Sequence, residues 1–435
     1  MSKSTQVAGT AFSVHRHTLR NGLRVVISPD RAAPVVGVAL VYDVGFRSEP
    51  RERTGFAHLF EHLMFQGSEN IAKMEHAAQV NSAGGVMNGS THPDFTNYFE
   101  VLPSTALDLA LFLEADRMRS PNLDQECLDN QCAVVKEEIN VNVRNAPYGG
   151  FPWIHLPALL FNEWANAHDG YGSFEDLELA SVADCKDFFD RYYAPANAVL
   201  VVAGDVDVEE AMALVRKHFD PIRKRSAPKR PSFAEAVSSE VKHRVHVDPI
   251  APEPALAIGM RVPDPIKKPL DYFAAVMLTE VLTAGDSSRL VERLVLREQI
   301  ANQVSGYMGP FGDPFEMRDP TLLTFEVHHT HAVQAETLIA AVDEEIQRIA
   351  EHGVDPAELA RVSIALDSVW FSRLDQLGER TLQLAQFELI HGRAELVNEI
   401  PGLLRAVTPE DVRRAAVTLA GQGKAILEWK SGASA

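Results

Sequence analysis

The sequence predicts an α+β fold of two similar domains, each a mostly antiparallel sheet packed with helices. Three observations carry that prediction. The chain has 435 residues, more than one hydrophobic core ordinarily serves, so two domains of ~200 residues are expected. β-branched strand-like runs alternate with segments of helical period along the whole length. The same order of elements recurs in each half of about 215 residues, as a duplicated unit would give. The best break is Arg223-Lys-Arg-Ser-Ala-Pro-Lys-Arg-Pro-Ser232, which is basic, proline-bearing and aperiodic and reads as a hydrated linker. The domains are therefore placed at 1–222 and 242–435, with a linker at 223–241.

Gly22–Ile27 and Val35–Leu40 read as paired strands joined through Pro29 and Asp30. Gly55 to about Gly67 is helical, with Phe56, Leu59, Phe60, Leu63 and Met64 spaced by three and four. A second helix, Asn70–Ser82, ends at Gly84-Gly85. Met87–Leu102 alternates as a strand or hairpin. Pro103-Ser104 opens a helix to about Arg119 with Ser104 as its cap, and Asp124–Asn145 is one long helix. A strand at Val199–Ala203 and a helix at Val208–His218 close the first half. In the second half, a strand at Ala255–Arg261 precedes helices from Leu270 and Ser287. A strand at Thr321–His328 and long helices over Val333–Ile390 follow. Thr408 opens a late helix, and Lys424–Trp429 is a final strand.

Composition narrows the function classes. The chain carries 41 basic against 60 acidic residues, a net charge of −19, with 46% hydrophobic and 23% charged residues. That is an ordinary globular composition without the basic footprint of a nucleic-acid binder. No apolar run approaches the ~20 residues of a membrane helix, so neither nucleic acid nor membrane is an expected partner. The excess negative charge is compatible with steering basic peptides. Cys127, Cys132 and Cys185 form no Cys-x-x-Cys pair and suit a reducing compartment. Met1–Thr10 has no apolar core of leader type, which points to the cytoplasm, or to the periplasm if a leader has been trimmed.

The sharpest feature is His58-Leu-Phe-Glu61-His62. On a helix, His58 and His62 share a face and can reach one ion, while Glu61 stands beside it without ligating. A carboxylate there can take a proton from a zinc-activated water and pass it to a leaving amine. The order inverts the common His-Glu-x-x-His motif. Two histidines packed on a core-facing helix would read the same from this pentapeptide alone. A third ligand is sought in Val134-Val-Lys-Glu137-Glu138-Ile-Asn140, where spacing does not choose between the glutamates. His328, His329 and His331 look like a metal tract but fit a strand end equally well. His15 and His17 read as exposed residues of a loose N-terminus.

The chain resembles the pitrilysin/insulinase family of inverted-motif zinc peptidases. The resemblance rests on Leu19-Arg-Asn-Gly-Leu23, Gly45-Phe-Arg-Ser-Glu49, the segment from Gly55 to Gly67, Gly84-Gly-Val-Met-Asn88, Asp94-Phe-Thr-Asn-Tyr98, Val134-Val-Lys-Glu-Glu138, and Tyr193-Ala-Pro-Ala-Asn197 leading to Gly204-Asp205. In the second half it is weaker, through Ser287-Ser-Arg-Leu290 and Leu296-Arg-Glu298. It implies one zinc per chain held by His58, His62 and Glu138, with Glu61 as general base. Glu138 is chosen over Glu137 by its position after the valine pair. An extended peptide would add to the strand near Met87–Ser90, contacting Asn88 and Gly89, where the family usually has alanine.

Two departures from the family pattern carry expectations. Gln131 stands where a supporting glutamate is usual, with Cys132 in place of arginine; Gln131 and Glu137 are candidates to support the site from behind. A solvent-facing Gln131 of no consequence is the bland alternative. In the second half, Arg297 is present as a substrate-binding candidate, but the tyrosine expected seven residues later is Val304, and Tyr307 is three residues too late. Ala275, Leu278 and Thr279 stand where His58, Glu61 and His62 do in the first half. The resemblance therefore implies a zinc-dependent metalloendopeptidase, the catalytic subunit of a heterodimer whose homologous non-catalytic partner supplies the arginine–tyrosine pair. The alternatives are a non-catalytic core or scaffold subunit and a specific leader-peptide processing peptidase.

Overall fold

In the computed structural model, which describes residues 11–432, the strands build two sheets. Met1–Thr10, and with it the reading of a missing leader, lies outside the described residues. The first sheet contains β1 (His15–Thr18), β2 (Arg24–Pro29), β3 (Val35–Tyr42), β4 (Val86–Thr91), β5 (Thr96–Pro103) and β6 (Ala198–Gly204), in the order β1-β2-β6-β3-β5-β4. The expected direct pairing of β2 with β3 is corrected: β6 lies between them, parallel to β2 and antiparallel to β3. Ala198-Val-Leu-Val-Val-Ala-Gly204 is apolar and buried at every residue, so it takes a central position with neighbours on both edges. That long-range requirement overrides the local hairpin.

The second sheet contains β7 (Lys242–Asp248), β8 (Ala255–Arg261), β9 (Gln303–Met308), β10 (Leu322–His328) and β11 (Lys424–Ser431), ordered β7-β11-β8-β10-β9. Its one parallel pair, β7 with β11, matches β2 with β6. The second sheet thus repeats the first without a counterpart of β1. The expected α+β fold of two similar units, each a mostly antiparallel sheet with helices, is the one observed.

The two halves interlock. One face of the first sheet, with Val25, Val38 and Leu40, packs on its own helices, among them Phe56–Leu63, Leu107–Arg119 and Val208–Phe219. The opposite face, with Val26, Ala39, Val41 and Val201, is covered by the second-half helix Leu377–His391. Gly37 makes this possible, because a Cβ there would lie 2.3 Å from Thr381 Oγ1. In return, the first-half helix His155–Leu160 packs on β8 and β11, with Leu156 seated over Gly259.

Several local expectations shift. The second helix is shorter, Glu75–Ser82. Ser104 does not cap; its hydroxyl bonds Asp205 (3.0 Å), and a 3₁₀ turn leads into Leu107–Arg119. The long helix is α-helical over Gln125–Ile139 and widens into a π-helical turn at Asn140–Arg144. The segment after Ser287 is a π-helical turn, Val291–Arg297. The stretch Val333–Ile390 resolves into Ala335–His352, Pro356–Asp375 and Leu377–His391. His15 and His17 are not in a loose terminus but on β1, and His17 Nε2 is buried. The linker is not simply hydrated: Arg225 pairs with Asp190 (2.8 Å), and Arg230 reaches Asp94 (2.7 Å), Asp43 (3.3 Å) and Asp319. A guanidinium on a coil segment costs little backbone order to bury when three carboxylates receive it.

Candidate metal centre

The helix Phe56–Leu63 starts where it does for two physical reasons. Gly55 has φ 77°, and a Cβ there would lie 2.2 Å from the Tyr171 carbonyl oxygen, so only glycine fits. The buried Glu49 carboxylate accepts the amides of Gly55 (2.9 Å) and Ala57 (2.6 Å), satisfying donors at the helix start. Leu59, Phe60 and Leu63 enter the core, which turns His58 and His62 outward toward Glu138 on the neighbouring helix.

The three side chains converge. His58 Nε2 and His62 Nε2 are 3.2 Å apart, and Glu138 Oε2 lies 3.4 Å from His62 Nε2 and 3.7 Å from His58 Nε2. Donors ~2.1 Å from a tetrahedral ion stand about 3.4 Å apart, so this spacing fits zinc without rearrangement. Two imidazoles and a carboxylate are also the donor set of an open zinc site.

The surroundings tune each group. Burial pushes His58 down to about 4, the neighbouring His62 adds to this, and Glu138 opposes it. Burial also works against the His62 cation, but the bond to Glu138 and the Glu61 charge outweigh it, so His62 ends above its ordinary value. The bond from His62 holds Glu138 below the usual carboxylate range. Glu61 is buried, which raises its pKa against the opposing bond from Thr91 Oγ1 (2.6 Å).

Gln131 is buried and hydrogen-bonds the His62 ring, which corrects the solvent-facing alternative and matches the usual support of a ligating histidine. Glu137 does not join it: it is exposed and receives only the Asn140 amide (3.3 Å). Tyr171 escaped the sequence reading. Its hydroxyl donates to Glu138 (2.9 Å), accepts from Asn142 (3.0 Å), and its ring stands edge-on to His58. Thr91 was missed as well. Neither has a motif of its own; only the three-dimensional neighbourhood exposes them.

A cavity of about 620 Å³ opens over His58 and Glu61, and Gly89, Ser90 and Thr91 of β4 form one wall. Among the described residues β4 is the last strand of its sheet and pairs only with β5, which leaves an outer edge suited to an extended chain. Gly89 lines the cavity; Asn88 is exposed and its Oδ1 accepts the Gly89 amide (2.9 Å). Trp153 and Tyr171 also line it, and the second half adds Tyr307, Pro310 and Phe311. Arg297 is not brought to the site. It is 56% exposed, near Glu292 and Glu298 (3.7 Å each), and does not line the cavity. Val304 is buried in β9, whereas Tyr307 reaches the cavity.

Other candidate clusters carry no comparable site. His328 Nε2 bonds Glu326 (2.8 Å) at the end of β10. Ala275, Leu278 and Thr279 are buried and offer no metal group. His76, Glu100 and Glu114 come together in the interior, but Arg117 occupies both Glu114 oxygens, leaving a buried ion network.

A duplicated α+β chain with a His–His–Glu group and an adjacent carboxylate at an open sheet edge defines the class of inverted-motif zinc peptidases. The chain belongs to the insulinase family, peptidase family M16. The model described as Insulinase (Peptidase family M16) matches residues 24–159, and that described as Peptidase M16 inactive domain matches residues 180–366. A zinc protease, PqqE, of Helicobacter pylori is 30% identical over 366 residues, covering 82% of this chain and 79% of the relative. The β subunit of the mitochondrial-processing peptidase of Blastocladiella emersonii is 26% identical over 408 residues, covering 92% and 84%. A crystal structure of a protease from Helicobacter pylori superposes with a TM-score of 0.88 at 25% identity, over 97% of this chain and all of that one. Among the described residues no helix is long and apolar enough to cross a membrane.

Proposed function

We propose that this chain is a zinc-dependent metalloendopeptidase that hydrolyses unfolded or short peptides bound as an extended strand. The observation that carries the reading is the convergence of His58, His62 and Glu138 beside Glu61, at a cavity walled by an open sheet edge. Zinc held by that group would supply a Lewis acid for the scissile carbonyl and bring the pKa of a water toward neutrality. Glu61 takes the proton from the attacking water and delivers it to the leaving amine, with Thr91 fixing its Oε2. Tyr171 and Gln131 hold Glu138 and His62 in their ligating orientations. β4 supplies backbone groups that set the peptide's register.

We propose further that the chain is one half of a heterodimer whose homologous partner supplies an arginine–tyrosine pair. The exposed Arg297, which does not line the cavity, the buried Val304, and the likeness to a protein named as a subunit support this. A scaffold role is the second reading, favoured by the match to an inactive-domain model. That match lies mostly on the half without a metal group, so it weighs little against the complete donor set in the first half.

The test is cleavage of an unstructured fluorogenic peptide by the zinc-loaded chain, alone and mixed with its partner. Glu61→Gln should retain zinc and lose turnover by roughly 10²–10⁴-fold, and His62→Ala should lose both. Near-full activity in Glu61→Gln would overturn the base assignment. Equal rates with and without a partner would overturn the heterodimer.

A further inference from the structure

The half of the chain without a metal group supplies no reacting residue, yet one of its carboxylates is tied to the metal site. Ser90, Thr91 and His92, three consecutive residues at the end of β4, each hold a different element. Thr91 Oγ1 donates to Glu61 Oε2 (2.6 Å) on the motif helix. Ser90 Oγ accepts from Asn97 Nδ2 (2.7 Å) on β5 and lies 2.9 Å from His92 Nε2. His92 Nδ1 lies 2.9 Å from Glu316 Oε2, a second-half carboxylate. The Glu316 loop is itself anchored by Arg373 on Asp313, by Arg318 on Asp43 (3.0 Å) and by Gln386 on Glu316 (3.4 Å).

We infer that Glu316 and His92 are positioning residues for Glu61: through the Ser90–Thr91–His92 segment, the second half fixes the carboxylate proposed to move the proton. The inference rests on the reading of Glu61 as general base. Three observations support it. Among the described residues β4 has a sheet neighbour on one side only, so its end needs an anchor from elsewhere. His92 and Glu316 are both largely buried, and a buried ion pair contributes little net stability but fixes where its groups sit. Thr91 is also the hydroxyl donor on Glu61, so a displacement of its neighbour His92 is felt directly at the carboxylate. A shift of ~1 Å at a reacting group costs about 10²-fold in rate, so such an anchor has a measurable consequence.

The experiment is a double-mutant cycle between Glu316→Gln and Thr91→Val in the full chain, with its partner if one is required. Each single variant should lower kcat about tenfold or more, with KM changed less than about twofold and zinc content unchanged. The double variant should fall no further than the worse single one, and Thr91→Ser should restore most of the loss. Hydrogen exchange over residues 86–92 should quicken in Glu316→Gln while the helix Leu107–Arg119 keeps its protection. Independent, additive losses, or unchanged exchange over 86–92, would overturn the inference. Faster exchange in a chain that hydrolyses nothing even as wild type would support the bridge and overturn the peptidase reading instead. If Glu316→Gln does not fold, His92→Gln carries the same cycle.

Discussion

Glu138 and Glu61 hold His62 above its ordinary pKa despite its burial, so below that raised pKa a metal entering the His58–His62–Glu138 group has to displace a proton. Zinc affinity should therefore fall by roughly tenfold per pH unit once the pH drops below the raised His62 value. Competition titrations with a chelator at several pH values check this. His58, pushed down to about 4, should add no proton competition until far lower pH. At this scale the sequence was legible where residues are close in the chain: four-residue spacing put both histidines on one helix face. Glu138 was chosen by resemblance, and its convergence with the histidines is a property of the fold. Tyr171 and Thr91 could not be read at all, since a tyrosine or threonine in a strand or loop has many ordinary uses.

The strands and helices that were read came from period and composition, but β1, β7, β9 and the helices His155–Leu160, Val182–Tyr192 and Leu396–Arg405 were not read. Neither were the neighbours of β6, because burial on both faces is settled across the whole sheet rather than by the next turn. The helix Pro269–Thr283 follows β8 in the second half as the motif helix follows β3 in the first, and it carries no histidine. It carries two carboxylates, Asp271 in its first turn and the half-buried Glu280, which burial alone pushes up to about 7. Because the folded pKa of Glu280 lies above its unfolded value of 4.5, the native state binds more protons between those two values. Stability from this group is full below about pH 4.5 and declines as the pH rises through about 7. Glu280→Gln should raise stability by on the order of 2 kcal/mol at pH 8 and make no difference at pH 4. Chemical denaturation of both proteins at the two pH values tests this. An equal shift at both would place the effect in packing rather than in ionisation.

Across the whole molecule, the halves are joined by exchanged helices and by a clasp of charges. The buried Asp94 accepts from Arg47 (3.2 Å), Arg230 (2.7 Å) and the Arg318 amide (3.1 Å), while Arg47 donates to the Pro320 carbonyl (2.7 Å). The sequence showed Arg230 as part of a basic run and Asp94 as part of a motif, and only the fold brings them together. Arg230→Ala leaves Asp94, Asp43 and Asp319 each short of a partner. It should lower stability by about 3 kcal/mol, read as a lower denaturation midpoint with an unchanged slope. Removing zinc with a chelator should abolish turnover and leave this clasp and the fold intact, since no core cluster depends on the three donors. Far-ultraviolet circular dichroism before and after chelation would show it. The claim on which all of this depends is that His58, His62 and Glu138 together bind one zinc ion. Elemental mass spectrometry of the purified, folded chain, with Glu138→Gln alongside, tests it most directly. About one zinc per wild-type chain and little in the variant is the expected result; a folded wild-type chain that takes up no zinc, or a variant that keeps it in full, would overturn the assignment.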